Sequence, residues 1–219
     1  MIDYKNDEQK RTNLIHFIRI TQQLIEEEGL KNVSIRKIAA NSGFHNSTIY
    51  LYFKDLNELI MLASIKRFQN YSTALEQQSR LHADAYDNFY AIWEYFAESA
   101  FQYPCVFHNF FFGKYSDDLP TFLNIYYDLF PEERNKYSAD IEAMYFGKNY
   151  TERCLKILQP LAGDARTCVT EQNIQLINDM NVCFCKELLS QKCANPKLDS
   201  SQLQEKLMDM LHFLIDRHE

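Results

Sequence analysis

Residues 34–53 read SIRKIAANSGFHNSTIYLYF, and this stretch decides the fold. Ser34 can cap a helix in which Ile35, Ile38 and Ala39 share a face. Gly43 sits where a left-handed turn residue is wanted, and 46–52 forms a second, short helix. A helix-turn-helix needs a small residue where its two helices approach, a turn residue that tolerates positive φ, and an apolar residue that docks the second helix on the first. Ala39, Gly43 and Ile49 supply these in order, with three and then five residues between them. A recognition helix should present polar side chains and its own amino terminus to DNA, which His45, Asn46, Ser47 and Thr48 do.

Working outward, Leu14, Ile15, Phe17, Ile18, Leu24 and Ile25 fall near helical spacing over 12–28, with Gly29 as the stop. After the motif, Asp55 followed three residues later by Glu58 resembles a capping box. It opens a fourth helix through Leu59, Leu62, Ile65 and Phe68 that runs towards Arg80. Further helices are expected at 84–102, 105–112, 120–130, 139–146, 150–161, 170–191 and 201–217. Only 5 Gly and 5 Pro occur in 219 residues, which argues against a turn-rich β-sandwich or barrel and for an all-α chain.

The net charge of −7 is unevenly spread: residues 1–67 carry +2 and residues 68–219 carry −9. Between Lys31 and Lys54 stand four basic residues, Lys31, Arg36, Lys37 and Lys54, and no acidic one. The two parts are therefore expected to meet different partners, with an anion facing the first. Residues 2–11 are dominated by charged and amide side chains, unlike a signal peptide, and the apolar stretch at 101–112 is broken by Gln102, Pro104, His108 and Asn109. A cytoplasmic protein without a membrane span is expected. The six cysteines read as reduced core thiols. Cys105 and His108 lie one helical turn apart, but no second convincing pair completes a metal site, so no metal or cofactor is expected. No Ser-His-Asp signature, phosphate-cradling loop or paired-carboxylate motif stands out, which argues against an enzyme.

The stretch from about Ile15 to Leu62 resembles the amino-terminal domain of the tetracycline-repressor (TetR) family of transcriptional regulators. Its carriers are the helix ending at Gly29, then Ser34-Ile35-Arg36-Lys37-Ile38-Ala39, Gly43-Phe44, Thr48-Ile49-Tyr50-Leu51-Tyr52-Phe53 and Glu58-Leu59. The resemblance implies an all-helical homodimer in which three amino-terminal helices bind DNA and a larger helical domain senses a ligand and dimerises. It divides the chain at 1–55 and 56–219. It also implies DNA contacts at Ser34, Arg36, Asn46, Thr48, Tyr50 and Tyr52, to which the residue chemistry adds His45 and Ser47. Leu56 stands where many members carry a lysine, and Lys54 is the nearest cation.

Seventeen of the 31 aromatic residues lie between Tyr86 and Phe130, which reads as an aromatic core or as the wall of an effector pocket. The residues expected there are Phe89, Trp93, Phe96, Phe107, His108, Phe111, Phe122 and Tyr126. The last two helices are expected to form the homodimer through faces that include Leu207 and Leu211. The function expected is a repressor released from a near-palindromic double-stranded DNA operator by a small apolar or aromatic effector. The alternative is a DNA-bound protein-interaction factor of the same fold without a small effector.

Overall fold

A computed structural model describes residues 3–79, 84–134 and 146–217. Among them are ten α-helices: α1 (Glu8–Glu28), α2 (Ile35–Ser42), α3 (Asn46–Tyr52), α4 (Leu56–Ser79), α5 (Ala85–Gln102), α6 (Pro104–Phe112), α7 (Leu119–Leu129), α8 (Tyr150–Leu158), α9 (Ile174–Ala194) and α10 (Ser200–Ile215). The helix expected at 139–146 falls, but for Phe146, outside the described residues. Side-chain caps fix where the helices begin. Asp7 accepts from the Lys10 amide at 3.0 Å, which starts α1 four residues earlier than the apolar pattern alone suggests. Asp84 accepts from the amides of Tyr86 and Asp87, and Asn149 from that of Glu152.

Phe17 of α1 is the hub of the first four helices. Its buried ring meets Phe44 of the turn at 5.1 Å, Tyr52 of α3 at 5.4 Å and Phe53 at 6.2 Å, so α2 and α3 are held against α1 by aromatic packing. α4 leaves this cluster and packs against α1, α5, α6 and α7, burying Leu59, Leu62, Ile65 and Phe68. Its apolar face joins the core of the first helices to that of the rest. α9 lies on α6, α8 and α10, while α10 covers α5.

The carboxy-terminal end is clamped onto the start of α5. The hydroxyls of Tyr86 and Tyr90 donate to Asp216 at 2.9 and 2.6 Å, and His212 Nδ1 lies 2.8 Å from the same carboxylate. Burial opposes ionisation of Asp216, but the hydrogen bonds from Tyr90, His212 and Tyr86 outweigh it and hold this carboxyl below its ordinary value. Thr167 and Asp216 form an antiparallel bridge beside it. No helix among the described residues is long and apolar enough to cross a membrane.

Two expectations are corrected. Cys105 and Cys193 are not reduced thiols but a disulfide, which ties the start of α6 to the end of α9 across 88 residues of sequence with 5.2 Å between their Cα atoms. The other four cysteines are free thiols, with Cys154 and Cys185 buried and Cys168 and Cys183 exposed. Leu207 and Leu211 do not form an outer dimer face. Both are fully buried in the protomer's own core, where α10 meets α5 and α9.

Alkylation of the unfolded chain without reductant should label four thiols, and with reductant six. Because the bridge closes a long loop, Cys193→Ser should lower the unfolding free energy of the oxidised protein by roughly 2–5 kcal/mol in denaturant titrations. Six reactive thiols without reductant would show that the pair is not bonded.

Candidate nucleic-acid interface and effector cavity

α2 ends at Gly43, whose φ of +75° an L side chain rarely adopts. Its amide and that of Phe44 both reach the Ala39 carbonyl, which turns the chain sharply towards α3. Ala39 and Ile49 are buried where the two helices touch, as the spacing requires. His45 caps α3: its Nδ1 accepts from the Ser47 amide and sits 2.8 Å from the Ser47 hydroxyl. His45, Asn46, Ser47 and Tyr50 are exposed along α3, and Thr48 is half-buried beside them. Leu51, which the sequence reading passed over, is 68% exposed on the same helix. Nothing in the sequence marked that exposure, since an isolated leucine reads as core.

Tyr52 is corrected. Its ring is buried against Phe17 and its hydroxyl accepts from Asn13 Nδ2 at 2.7 Å, so the alternation along α3 turns it into the core. Ser34 is half-buried and its hydroxyl accepts from the Lys37 amide, capping α2. The four basic residues of this stretch divide into two pairs. Lys37 is paired with Glu28, and Lys31 donates to the carbonyl of Cys193. Arg36 and Lys54 are exposed, with side chains that have no ion pair among the described residues.

Between α3 and α4 stands Asp55. One carboxylate oxygen accepts from the Glu58 amide at 2.9 Å, and the other from Lys114 Nζ at 2.5 Å and the Tyr115 hydroxyl at 3.0 Å. Glu58, buried, accepts in return from the Lys54 amide at 2.6 Å. Burial opposes ionisation of Asp55, but Lys114, the Glu58 amide and Tyr115 together hold its carboxyl below the usual range. Lys114 and Tyr115 directly follow Gly113, where α6 ends and where a Cβ would collide with the Asn109 carbonyl oxygen. The exit of α6 is thus fastened to the cap of α4, three residues beyond α3.

Inside the larger helical part, α4, α5, α6 and α8 line a cavity of about 30 Å³ whose walls are chiefly rings, among them Phe68, Tyr71, Trp93, Phe96, Phe111 and Tyr150. Trp93, Phe96 and Phe111 lie on this wall, and the five other residues expected beside them lie elsewhere. Phe89 packs behind Trp93, and Phe107 behind Phe96 and Tyr71. His108 lies 3.0 Å from the Ser190 hydroxyl, and burial followed by the Lys186 charge lowers its pKa. Tyr126 donates to Glu133 and accepts from Gln22 of α1, and Phe122 faces a separate, open, charged cleft of about 620 Å³. The aromatic residues of α5 to α7 are too many to share one wall, so most of them pack against one another.

The sequence reading missed Arg153 altogether. The residue is 4% exposed, on the cavity wall, with its guanidinium carbon 4.9 Å from the centre of the Phe68 ring and Nε donating to the Gly147 carbonyl. Tyr150, Arg153, Cys154 and Ile157 recur at helical spacing along one face of α8, a pattern legible in the sequence. Burial pushes the Tyr150 hydroxyl and the Cys154 thiol up, and Cys185, 3.1 Å from the Tyr150 hydroxyl, up to about 12. Among the described residues no group of three or more His, Cys, Asp or Glu is placed to hold a metal ion.

Residues 18–61 match the model of the bacterial regulatory proteins of the tetR family. The chain carries a TetR-family DNA-binding domain. No curated protein matches the chain. Among solved structures it is similar to the Thermus thermophilus FadR, a TetR-family transcriptional repressor bound to lauroyl-CoA, at 12% identity and a TM-score of 0.57 over 94% of this chain and 97% of that one. It is also similar to the Bacillus subtilis regulator FadR bound to stearoyl-CoA, at 16% identity and a TM-score of 0.55 over 90% and 96%. RolR with resorcinol matches at 16% identity and a TM-score of 0.54 over 94% and 89%. At these identities the likeness establishes the TetR fold over nearly the whole chain.

In this TetR fold the Asp55 link should show in the pH dependence of stability. A carboxyl whose folded pKa is depressed contributes stability that is full above its unfolded value, here 3.8, and is lost as the pH falls through the folded value. Lys114→Met should therefore lower Tm near pH 7, slightly for so exposed a pair, and have less effect near pH 3. Equal losses at both pH values would show that Lys114 acts through packing instead.

Proposed function

We propose that the chain is a ligand-responsive transcriptional regulator, a homodimeric repressor released from a near-palindromic operator by a small apolar or aromatic effector. Residues 1–55 would bind DNA, and residues 56–219 would hold the effector and dimerise. The observation that carries this reading is the fastening of Asp55 to Lys114 and Tyr115, because it joins the α6 wall of the ring-lined cavity to the helix that leaves the DNA-facing row. An effector that parts the cavity walls displaces α6, and with it the start of α4 and the spacing of the two recognition helices. A preference for the wrong spacing by about 1–3 kcal/mol weakens DNA binding roughly 5- to 150-fold. As it stands the cavity has room for no more than a water or two, which favours the second reading, a DNA-bound partner of another protein without a small effector.

Asn46 and Tyr50 are assigned to base edges, Leu51 to a thymine methyl, and Ser34, Arg36, Thr48 and Lys54 to phosphates, with His45 and Ser47 ordering the entry to α3. In binding-site selection, Asn46→Ala should relax preference at one half-site position. Arg36→Ala and Lys54→Ala should weaken all sequences alike, each reducing the salt slope by about 1. Unaltered selection by the Asn46 variant would remove that residue from direct readout.

The dimer face follows from what α9 and α10 leave exposed: Leu176 and Met180 stand one turn apart on α9, and Phe213 is 71% exposed on α10. Leu176→Glu combined with Met180→Glu should give a monomer by sedimentation and abolish tight operator binding, since two half-sites about 34–36 Å apart need two linked recognition helices. A dimer that survives both substitutions would place the interface elsewhere.

A further inference from the structure

We infer that the Cys105–Cys193 disulfide is a thiol–disulfide exchange site, opened by a dithiol reductant and closed by a peroxide, and that opening it weakens the hold of the chain on DNA. The inference rests on the DNA-binding reading above and adds a chemistry that regulates it. Under that reading the chain works beside DNA, where most thiols are kept reduced and a disulfide is more often redox-sensing than structural. Both cysteines of the bridge are half-buried, so an external thiol can reach it, whereas Cys154 and Cys185 are buried. The bridge also lies where the two parts of the chain touch. Lys31, in the turn at Leu30–Asn32 that leads into α2, donates to the Cys193 carbonyl at the end of α9, and α6 packs against the same turn. The bond thus fixes the acceptor by which the DNA-facing part is attached to α9.

Cys105 is the second residue of α6, at the positive end of a nine-residue helix, which stabilises a thiolate leaving from that position. A thiolate of the dithiol attacks Cys193 Sγ, the S–S bond breaks, and Cys105 leaves with the bonding electron pair and takes up a proton. The second thiol of the reductant gives up its proton and attacks the mixed disulfide, which releases Cys193 as a thiol and leaves the reductant as its own disulfide. Two electrons and two protons pass to the protein. In the closing direction the Cys105 thiolate takes an oxygen from hydrogen peroxide, giving a sulfenic acid and one water. The Cys193 thiol condenses with it, re-forms the S–S bond and releases a second water. The end of α9 keeps an anchor of its own throughout, because Lys192 donates to the carbonyls of Pro196 and Leu198 in the loop that follows. Reduction therefore frees the ends of α6 and α9 from each other and leaves Lys31 without a fixed acceptor.

The test uses the full-length chain carrying Cys168→Ser and Cys183→Ser, so that no other exposed cysteine responds. After dithiothreitol, iodoacetamide should label the folded protein at Cys105 and Cys193, and its circular dichroism should stay helical. A duplex selected from a random library by the oxidised protein should bind the reduced protein about fivefold or more weakly, and hydrogen peroxide should restore the affinity. Cys105→Ser combined with Cys193→Ser should bind as the reduced form does and ignore both reagents. Should that variant fail to fold, Lys31→Ala keeps the bridge and should bind the duplex alike in both redox states. Labelling of the pair only after unfolding, or equal or tighter binding by the reduced protein, would overturn the exchange site while leaving DNA binding standing. Failure of both forms to select any duplex would overturn both readings.

Discussion

The carboxylate of Asp55 is shared by three parts of the molecule, and their relative placement depends on it. It caps α4 through the Glu58 amide, it receives Lys114 and Tyr115 from the end of α6, and it stands three residues after the recognition helix. Helix α4 in turn is the element whose apolar face belongs both to the Phe17 cluster and to the ring-lined interior. A single short side chain therefore sets the starting point of the helix that both halves pack against. The exposed ion pair contributes little to stability by itself. Its effect lies in geometry, since a carboxylate with partners on both sides holds two helix ends in one fixed relation.

What the sequence made legible was mostly local. Ser34, Gly43 and the Asp55–Glu58 pair act within one or two turns, so the bounds of α2 and α3 and the opening of α4 could be read directly. The row of polar side chains on α3 was legible for the same reason, and Leu51 was missed because an isolated leucine reads as core. Tyr52 and Tyr50, two residues apart in one motif, are separated by which face of α3 they occupy, and only the position of Phe17 settles that. Long-range facts were not legible. Cys105 and Cys193 meet because α6 and α9 lie side by side. Leu207 and Leu211 face inward because α10 covers α5, and Arg153 is buried because α8 closes over Phe68. Aromatic density located the interior correctly but could not say which rings face its small space, because that depends on the crossing of four helices.

The charge of the DNA-facing part deserves a narrower reading than its sum of +2 suggests. Lys37 and Lys31 hold α2 and the turn after α1 in place through Glu28 and the Cys193 carbonyl, which leaves Arg36 and Lys54 as exposed cations of that stretch. In the proposed regulator each subunit would bring few charges to a phosphate backbone, and hydroxyl, amide and ring contacts would carry a correspondingly larger share of recognition, contacts that depend on shape and position more than on ionic strength.

The disulfide between Cys105 and Cys193 has a kinematic consequence. A covalent bond joins the start of α6 to the end of α9, and Lys31 touches the same Cys193 from the turn after α1. At that end the two helices cannot slide apart, so a displacement of α6 relative to α9 is a pivot about its bonded amino terminus, with Gly113 at the far end. The residues that swing furthest in such a pivot are those at the far end, Phe111 on the cavity wall and then Lys114 and Tyr115 at Asp55. The bridge converts α6 into a lever with a fixed fulcrum, and breaking it would let the same push from the cavity dissipate as translation.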